Sequence, residues 1–488
     1  MTSSPLVMTF HQRAPLCSSV SAGNSREKRQ MPYLRPFVAA VVRPIPITTR
    51  EQRIQELDRA GHNPFNIPAD MVSLDLLSDS GTGAVSIDQQ AWAQRADERY
   101  AGAESFYRFR EAVRDIVPYR HILPVHQGRA AERVLFSALL GPGKISISNT
   151  HFDTTRANVE RLGAQALDLP CPEASDLDSE EPFKGNIDLE ALKNVLSGPD
   201  GHRVGQILLT ITNNGGGGQP VSIANIEAAS AIARSHGVPL ILDAARFAEN
   251  AWLVTRREPG YQDWTPRDVA RRAFELADGA IASLKKDGLS PEGAFIGVHD
   301  SELADRCEVD VIATEGFRTY GGLTGHTLEI LAQGLREVLD PHYLADRERE
   351  ASFLAECARN AGVSTVQPAG LHGIYLNAGR LLPHLGPEQF PGHALACALY
   401  REGGIRCSEL GSLYLGELNE HNQLVKPAPF ELVRLALPRR VYDHSHWEYV
   451  GEVLAEIAKD PEQVPGYRIT HAPKVLRHFR CRTEPVTL

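Results

Sequence analysis

Between Gln206 and Gly279 the apolar residues change period along the chain. Ile207-Leu-Leu-Thr-Ile211 is a short, nearly continuous apolar run, the pattern of a strand covered on both faces. After a glycine-rich turn, Ser222 stands ahead of a helical face formed by Ile223, Ile226, Ala229 and Ala233, and Gly237 ends it. Residues 238–242 then read as a second buried strand that closes on Asp243. Strand, helix, strand is the βαβ signature of a parallel sheet, and such sheets hold ligands beyond the carboxyl ends of their strands. The residues at those ends are polar here. The run 141–148 leads to Asn149 and Phe152-Asp153, 207–211 to Asn213-Asn214, 238–242 to Asp243 and Arg246, and 279–282 to Ser283 and Lys285-Lys286. From about residue 346 onward, helical and short extended patterns mix, which predicts a second, smaller domain.

Length and composition narrow the class. At 488 residues the chain predicts two domains, whose boundary can be discontinuous. Hydrophobic residues at 42% and charged residues at 23% are those of a globular protein. No run approaches the roughly 18 to 20 apolar residues of a membrane-spanning helix. A net charge of −10 offers no footprint for nucleic acid. Seven cysteines without a CxxC or CxxH pair suggest neither a disulfide framework nor a zinc site, so a reducing, cytoplasmic setting is expected. Residues 1–30 carry one acid, Glu27, and no period; they read as a disordered arm or upstream sequence ahead of Met31, and less well as a targeting peptide.

The strand-end residues suggest a cofactor. Pyridoxal phosphate asks a protein for a lysine to hold it, an acid for its ring nitrogen, and donors for its phosphate. Asp243 and Lys286 are spaced as an acid and a lysine reaching one group across a sheet. His126-Gln127-Gly128-Arg129 opens a helical stretch, where free N–H groups, a glycine and a guanidinium would converge on an anion. Lys285 beside Lys286 would lower the amine pKa through like-charge repulsion. Singly these features are ordinary: a strand-end Asp is more often a cap, and a Lys pair a solvated turn. Their joint occurrence is what points to chemistry.

Eight blocks carry a closer resemblance. They are Asp75-Leu-Leu-Ser-Asp-Ser-Gly-Thr-Gly-Ala84, Tyr100-Ala-Gly-Ala-Glu-Ser-Phe106, His126-Gln-Gly-Arg-Ala-Ala-Glu132, Gly217-Gly-Gln-Pro-Val-Ser222, Asp243-Ala-Ala-Arg-Phe-Ala-Glu-Asn250, Ser283-Leu-Lys-Lys-Asp287, Glu315-Gly-Phe317 and Thr319-Tyr-Gly-Gly-Leu323. In this order, and from about residue 35 to the C-terminus, the chain resembles the β-eliminating lyase family of tryptophanase and tyrosine phenol-lyase. The resemblance implies an α/β, aspartate-aminotransferase-like fold (fold type I). A large domain, 80–345, would carry a mostly parallel sheet, and a smaller α+β domain would combine 32–79 with 346–488, leaving 1–31 as an arm or upstream extension.

It also implies roles. Lys286 would hold the cofactor and take the substrate α-proton, with Lys285 beside it. Asp243 would keep the pyridine nitrogen protonated and Arg246 would contact the ring oxygen. Gln127, Gly128, Arg129 and Ser283 would bind phosphate, and Phe152 would stack on the ring. Asn214 and Arg434 would hold the substrate carboxylate, with Ser78 also at the substrate; Tyr100 would enter from a neighbouring subunit for proton transfer, in a homotetramer built from dimers. A potassium site would use Glu98 and the carbonyls of Gly81 and Pro291. Within the family, Asp153, Leu410 and His478, the last in Lys474-Val-Leu-Arg-His-Phe479, resemble the tryptophan-cleaving branch, whose reaction gives indole, pyruvate and ammonia. A phenolic leaving group needs a donor that Leu410 cannot supply, whereas indole suits an apolar wall with a nearby proton-transfer group. Alternatives are elimination or β-replacement on a modified tryptophan, tyrosine or S-substituted cysteine, and a catalytically silent cofactor-binding relative. The chain departs from the family pattern at Ser78, Arg318, Glu292, Ala294 and the four glycines after Asn214.

Overall fold

The structure is a computed structural model that describes residues 34–38, 41–473 and 476–486. The expectation for residues 1–31 lies outside them, as do Lys474 and Val475 of the C-terminal block. Residues 34–38 belong to a short N-terminal unit in which the Arg35 guanidinium lies 4.3 Å from the Phe37 ring centroid. The elements that follow all belong to the unit from residue 40 onward.

Seven strands form one sheet: β1 (His121–Val125), β2 (Ile145–Ser148), β3 (Gln165–Asp168), β4 (Val204–Thr210), β5 (Leu240–Asp243), β6 (Gly279–Ser283) and β7 (Ala294–Val298). Their order is β1-β7-β6-β5-β4-β2-β3. All neighbours from β6 to β3 run parallel, while β7 is antiparallel to both β1 and β6. The apolar run of β4 is explained by cover on both faces, since Ile207, Leu208 and Leu209 are fully buried. One core cluster spans Phe106 to Leu344 and a second packs around Leu123, Leu208 and Ile296.

The helices expected after Arg129 and after Ser222 are present, and two more follow strands β2 and β5. Helix α1 (Gly128–Leu139) follows β1, α2 (Asp153–Arg161) follows β2, α3 (Ile223–Ser235) lies between β4 and β5, and α4 (Phe247–Arg257) follows β5. Ser222 caps α3, its hydroxyl accepting from Asn225 N–H at 3.1 Å, and the expected face of Ile223, Ile226, Ala229 and Ala233 is buried. β5 begins at Leu240, two residues later than its apolar run, because Pro239 has no N–H to give to the ladder.

A separate core joins Leu57–Leu76 to residues 351–467. Its sheet holds β8 (Gly373–Asn377), β9 (Ser408–Leu410) and β10 (Leu432–Ala436) in the antiparallel order β9-β10-β8. The register sets Arg434 between Ser408 and Tyr375.

Candidate functional site

The carboxyl ends of β4, β5 and β6 open into a cleft closed on its far side by β9, β10 and the C-terminal segment; Asp243, Ser283, Lys286, Arg434 and His478 all line it. Parallel register explains part of this, since Thr210 pairs with Asp243 and Asp243 with Ile281, which brings three strand ends level.

At one end, Gln127 is the N-cap residue of α1 and Gly128 its first residue. The first N–H groups of a helix have no intrahelical acceptor and carry its positive dipole end. A Cβ on Gly128 would lie 2.6 Å from Ser283 Cβ, so the helix start and the end of β6 approach closely only because this residue is glycine. Arg129 lines the same cleft. Lys286 Nζ donates to Ser283 Oγ at 3.1 Å. Its pKa is drawn down to about 8, first by burial and then by the charge of Arg246, against the pull of Asp79, Asp243 and Glu132. The leading causes are therefore burial and Arg246, which corrects the expectation that Lys285 supplies the effect. Lys285 lines the same cleft, and its backbone carbonyl accepts from Gly81 N–H at 2.7 Å.

Asp243 is half-buried at the end of β5 and its carboxyl is pushed up, by desolvation first, although Lys286 and Arg246 oppose this. It accepts one long bond, from Ala245 N–H at 3.3 Å. Phe152 closes the opposite wall at the N-cap of α2. Arg246 is fixed by a fork-to-fork pair with Asp79, Nε to Oδ2 at 3.0 Å and Nη2 to Oδ1 at 2.8 Å. Behind it, the fully buried Arg439 donates to Asp79 at 3.0 Å, Glu249 at 2.8 Å and Asp287 at 2.8 Å. Although burial works against ionisation, Arg246 and Arg439 hold Asp79 well below the usual carboxylate range. His372, next to this network, is pushed down to about 4 by burial and then by Arg246, so it is neutral.

Toward the substrate side, Asn214 Oδ1 accepts from Arg434 Nη1 at 3.0 Å and from the Tyr375 hydroxyl at 2.8 Å. Arg434 Nη2 donates to Leu77 O at 3.1 Å, and its buried Nε has no protein partner. Ser78 lies beside them and receives Ser80 N–H at 3.1 Å. At the far end His478 Nε2 stands 3.1 Å from Asp153 Oδ2. That distance is an ion-pair contact and not an aligned hydrogen bond, since the same oxygen has no bond of good geometry. Leu410, Phe65, Tyr414 and Phe479 surround the pair.

Two groups of expected residues are not brought into this cleft within the one chain. Tyr100 is 72% exposed, with its ring stacked 5.6 Å from that of Phe317. Glu98 accepts from Gly325 N–H at 2.9 Å and His326 N–H at 3.1 Å, while Gly81 and Pro291 are neighbours, a Cβ on Gly81 falling 2.7 Å from Pro291 O. The cleft also contains residues that sequence reasoning passed over. Asp79 sat inside a block that had been singled out. Phe65, Tyr414 and Glu409 gave no signal, being isolated residues in unremarked stretches. Glu132, pushed up to about 7 by burial and then by Asp243, accepts from Thr155 at 2.6 Å and Asn158 at 2.8 Å.

The sequence profile described as Beta-eliminating lyase matches residues 75–452. A tryptophanase from Hyphomonas neptunium is 46% identical over 92% of this chain and 99% of its own length. Those of Salinibacter ruber and Rhodobacter capsulatus are 46% and 45% identical, covering 93% and 92% of this chain and 95% and 99% of theirs. Among solved structures, the Leishmania major threonine aldolase superposes with a TM-score of 0.56 at 14% identity, over 79% of this chain and 99% of that one, a likeness of fold.

Proposed function

We infer the reaction from one premise: the chain belongs to the β-eliminating lyase family, and is a pyridoxal-phosphate-dependent lyase with an α/β, aspartate-aminotransferase-like fold. Three features of the cleft fit that cofactor. Lys286 is a half-buried amine with its pKa drawn down to about 8, Asp243 is an under-engaged half-buried carboxyl, and Gly128 lets the N–H groups that open α1 come close to Ser283. Bound there, pyridoxal phosphate supplies an electron sink for the bond broken at the substrate α-carbon.

The protein's own groups do the rest. Lys286 holds the cofactor and removes the α-proton, a role suited to an amine that is neutral in part at pH 7. Asp243 would accept a hydrogen bond from the ring nitrogen, and Gln127, Gly128, Arg129 and Ser283 would take the phosphate. Phe152 covers the ring face, with Lys285 beside Lys286. Arg246, oriented by Asp79, would offer its remaining donors to the ring oxygen. Arg434 and Asn214, with Ser78, receive the substrate carboxylate, which a planar guanidinium suits.

We propose L-tryptophan as the substrate, which with one water gives indole, pyruvate and ammonia. The observation that carries this is the Asp153–His478 pair set among Leu410, Phe65 and Phe479. An aromatic carbon leaves only after protonation, and the pair is the acid placed to do it. The relatives named tryptophanase support the same substrate. Incubation of the protein with cofactor, potassium and, separately, tryptophan, tyrosine and S-ethylcysteine tests it. Indole from tryptophan is expected, with little phenol from tyrosine, because Leu410 leaves the phenolic hydroxyl unpaired at a loss of about 1 to 3 kcal/mol. Robust phenol, or pyruvate from the cysteine derivative with no indole from tryptophan, would sink the assignment.

The same reading extends to assembly and location. We propose a homotetramer built from dimers in which Tyr100 completes a neighbour's site, and a potassium ion on the Gly81 and Pro291 carbonyls with Glu98. We also propose a large domain, 80–345, and a small one, 32–79 with 346–488, a reading supported by the separate core that joins Leu57–Leu76 to residues 351–467. No described helix is long and apolar enough to cross a membrane, and the six described cysteines are all free, which supports the cytoplasm as its setting.

A further inference from the structure

The pair at the leaving-group end has a third neighbour. Tyr414 lies in the short helix Ser412–Leu415 and lines the cleft. Its phenol oxygen accepts the backbone N–H of Asp153 at 3.1 Å. That N–H opens α2, where first-turn donors have no intrahelical acceptor, so the phenol settles a group the helix cannot. The Tyr414 ring also meets the His478 ring edge-on, with centroids 4.3 Å apart and planes at 83°. One side chain thus touches the backbone of Asp153 and the ring of the histidine paired with it. Desolvation, and then the charge of Asp153, push the phenol pKa well above its usual range, so the hydroxyl keeps its proton; Arg434 and Glu409 are the other charged groups that act on it.

We propose that Tyr414 is a positioning residue for leaving-group protonation, holding Asp153 and His478 in the geometry that delivers a proton to the ring carbon of an aromatic leaving group. This rests on the tryptophan reading above. In the step it serves, a proton passes from the Asp153–His478 pair to the indole carbon bearing the side chain. The bond from that carbon to Cβ then breaks, and its electron pair restores the aromatic ring of the released indole. The pair freed at Cα by loss of the α-proton to Lys286 forms the second Cα–Cβ bond. A thiolate departs with the Cβ–S electron pair and needs no protonation at carbon, so it depends far less on this alignment.

Two substitutions separate the contacts: Tyr414→Phe keeps the edge-on ring and loses the acceptor, and Tyr414→Leu loses both. General acid catalysis is worth about 100- to 10,000-fold, and misalignment forfeits part of it, so kcat for tryptophan should fall about tenfold in Y414F and further in Y414L, with KM moving less than about threefold. The ratio of kcat for tryptophan to kcat for S-ethylcysteine should drop at least about fivefold in both. Cofactor content and residual S-ethylcysteine cleavage report whether each variant folds. Equal losses on both substrates would mean a merely structural role and overturn the proposal, as would wild-type tryptophan turnover in Y414F. Absence of indole from the unsubstituted enzyme is a separate outcome, seen before any substitution, that overturns the tryptophan reading and this inference with it.

Discussion

With a pKa of about 8, the Lys286 amine is neutral in roughly one molecule in ten at pH 7, while burial keeps it from being a solvated surface charge. Borohydride treatment of the loaded enzyme should therefore fix the cofactor to the peptide carrying Lys286, and Lys286→Ala should abolish the adduct while Lys285→Ala keeps it. An adduct at Lys285 in mass spectrometry would reverse the assignment. Asp79 is the second residue whose removal is decisive, because it faces two buried guanidinium groups. Asp79→Ala leaves both less compensated, at a cost of about 3 to 5 kcal/mol, readable as a lower urea midpoint. Asp243, Ser283 and Lys286 were legible in the sequence because a strand-end position follows from local pattern alone. Asp79 was not, since its partner Arg439 is 360 residues away and no local pattern registers so distant a pair. The effect of Lys285 was overstated by the sequence for a related reason: adjacency is visible there, and the desolvation of an amine is not.

Among the elements, the junction of α1 with the end of β6 is the tightest approach in the cofactor cradle. Gly128→Ala would set a methyl group 2.6 Å from Ser283 Cβ, so backbone must shift at a cost of about 1 to 3 kcal/mol. Cofactor affinity, titrated by absorbance, should fall at least about tenfold, since this strain displaces the phosphate donors. The helix Pro391–Gly403 carries a different liability. His393 within it is pushed down to about 3, by burial first, and bonds Thr483 Oγ1 at 3.0 Å. The unfolded chain takes up a proton as pH drops below about 6.5 and the folded one does not until about 3, so stability should be lost progressively over that window, by up to about 1.4 kcal/mol per pH unit. His393→Gln should flatten the slope of the unfolding midpoint against pH; an unchanged slope would remove His393 as its source. β2, β4, β5, β6 and α3 were readable because buried runs and capped faces are periodic, whereas the half-exposed edge strand β3 carries no such run. β1 and β7 were not, since Pro124 interrupts one and antiparallel pairing at the sheet's edge depends on partners far along the chain.

For the whole molecule, the exposed Tyr100, stacked on Phe317 and edge-on to Tyr320, forms an aromatic platform outside its own cleft. If a neighbouring subunit receives it, activity should track association: sedimentation at falling concentration should show activity lost with dissociation, and Tyr100→Phe should slow turnover without altering mass. A fully active monomer would remove that role. Exchange of potassium for sodium should weaken cofactor affinity through Gly81 and Pro291, and equal affinity in both salts would dismiss the cation site. The Arg439 hub bears on a different moment in the protein's life. Three carboxylates, Asp79, Glu249 and Asp287, share one guanidinium that comes after all of them in the chain. During translation each acid emerges from the ribosome long before this shared guanidinium, and an under-compensated buried charge is costly. Nascent chains arrested before residue 439 should therefore leave the cleft unfinished, and the cofactor should be captured only as synthesis nears its end.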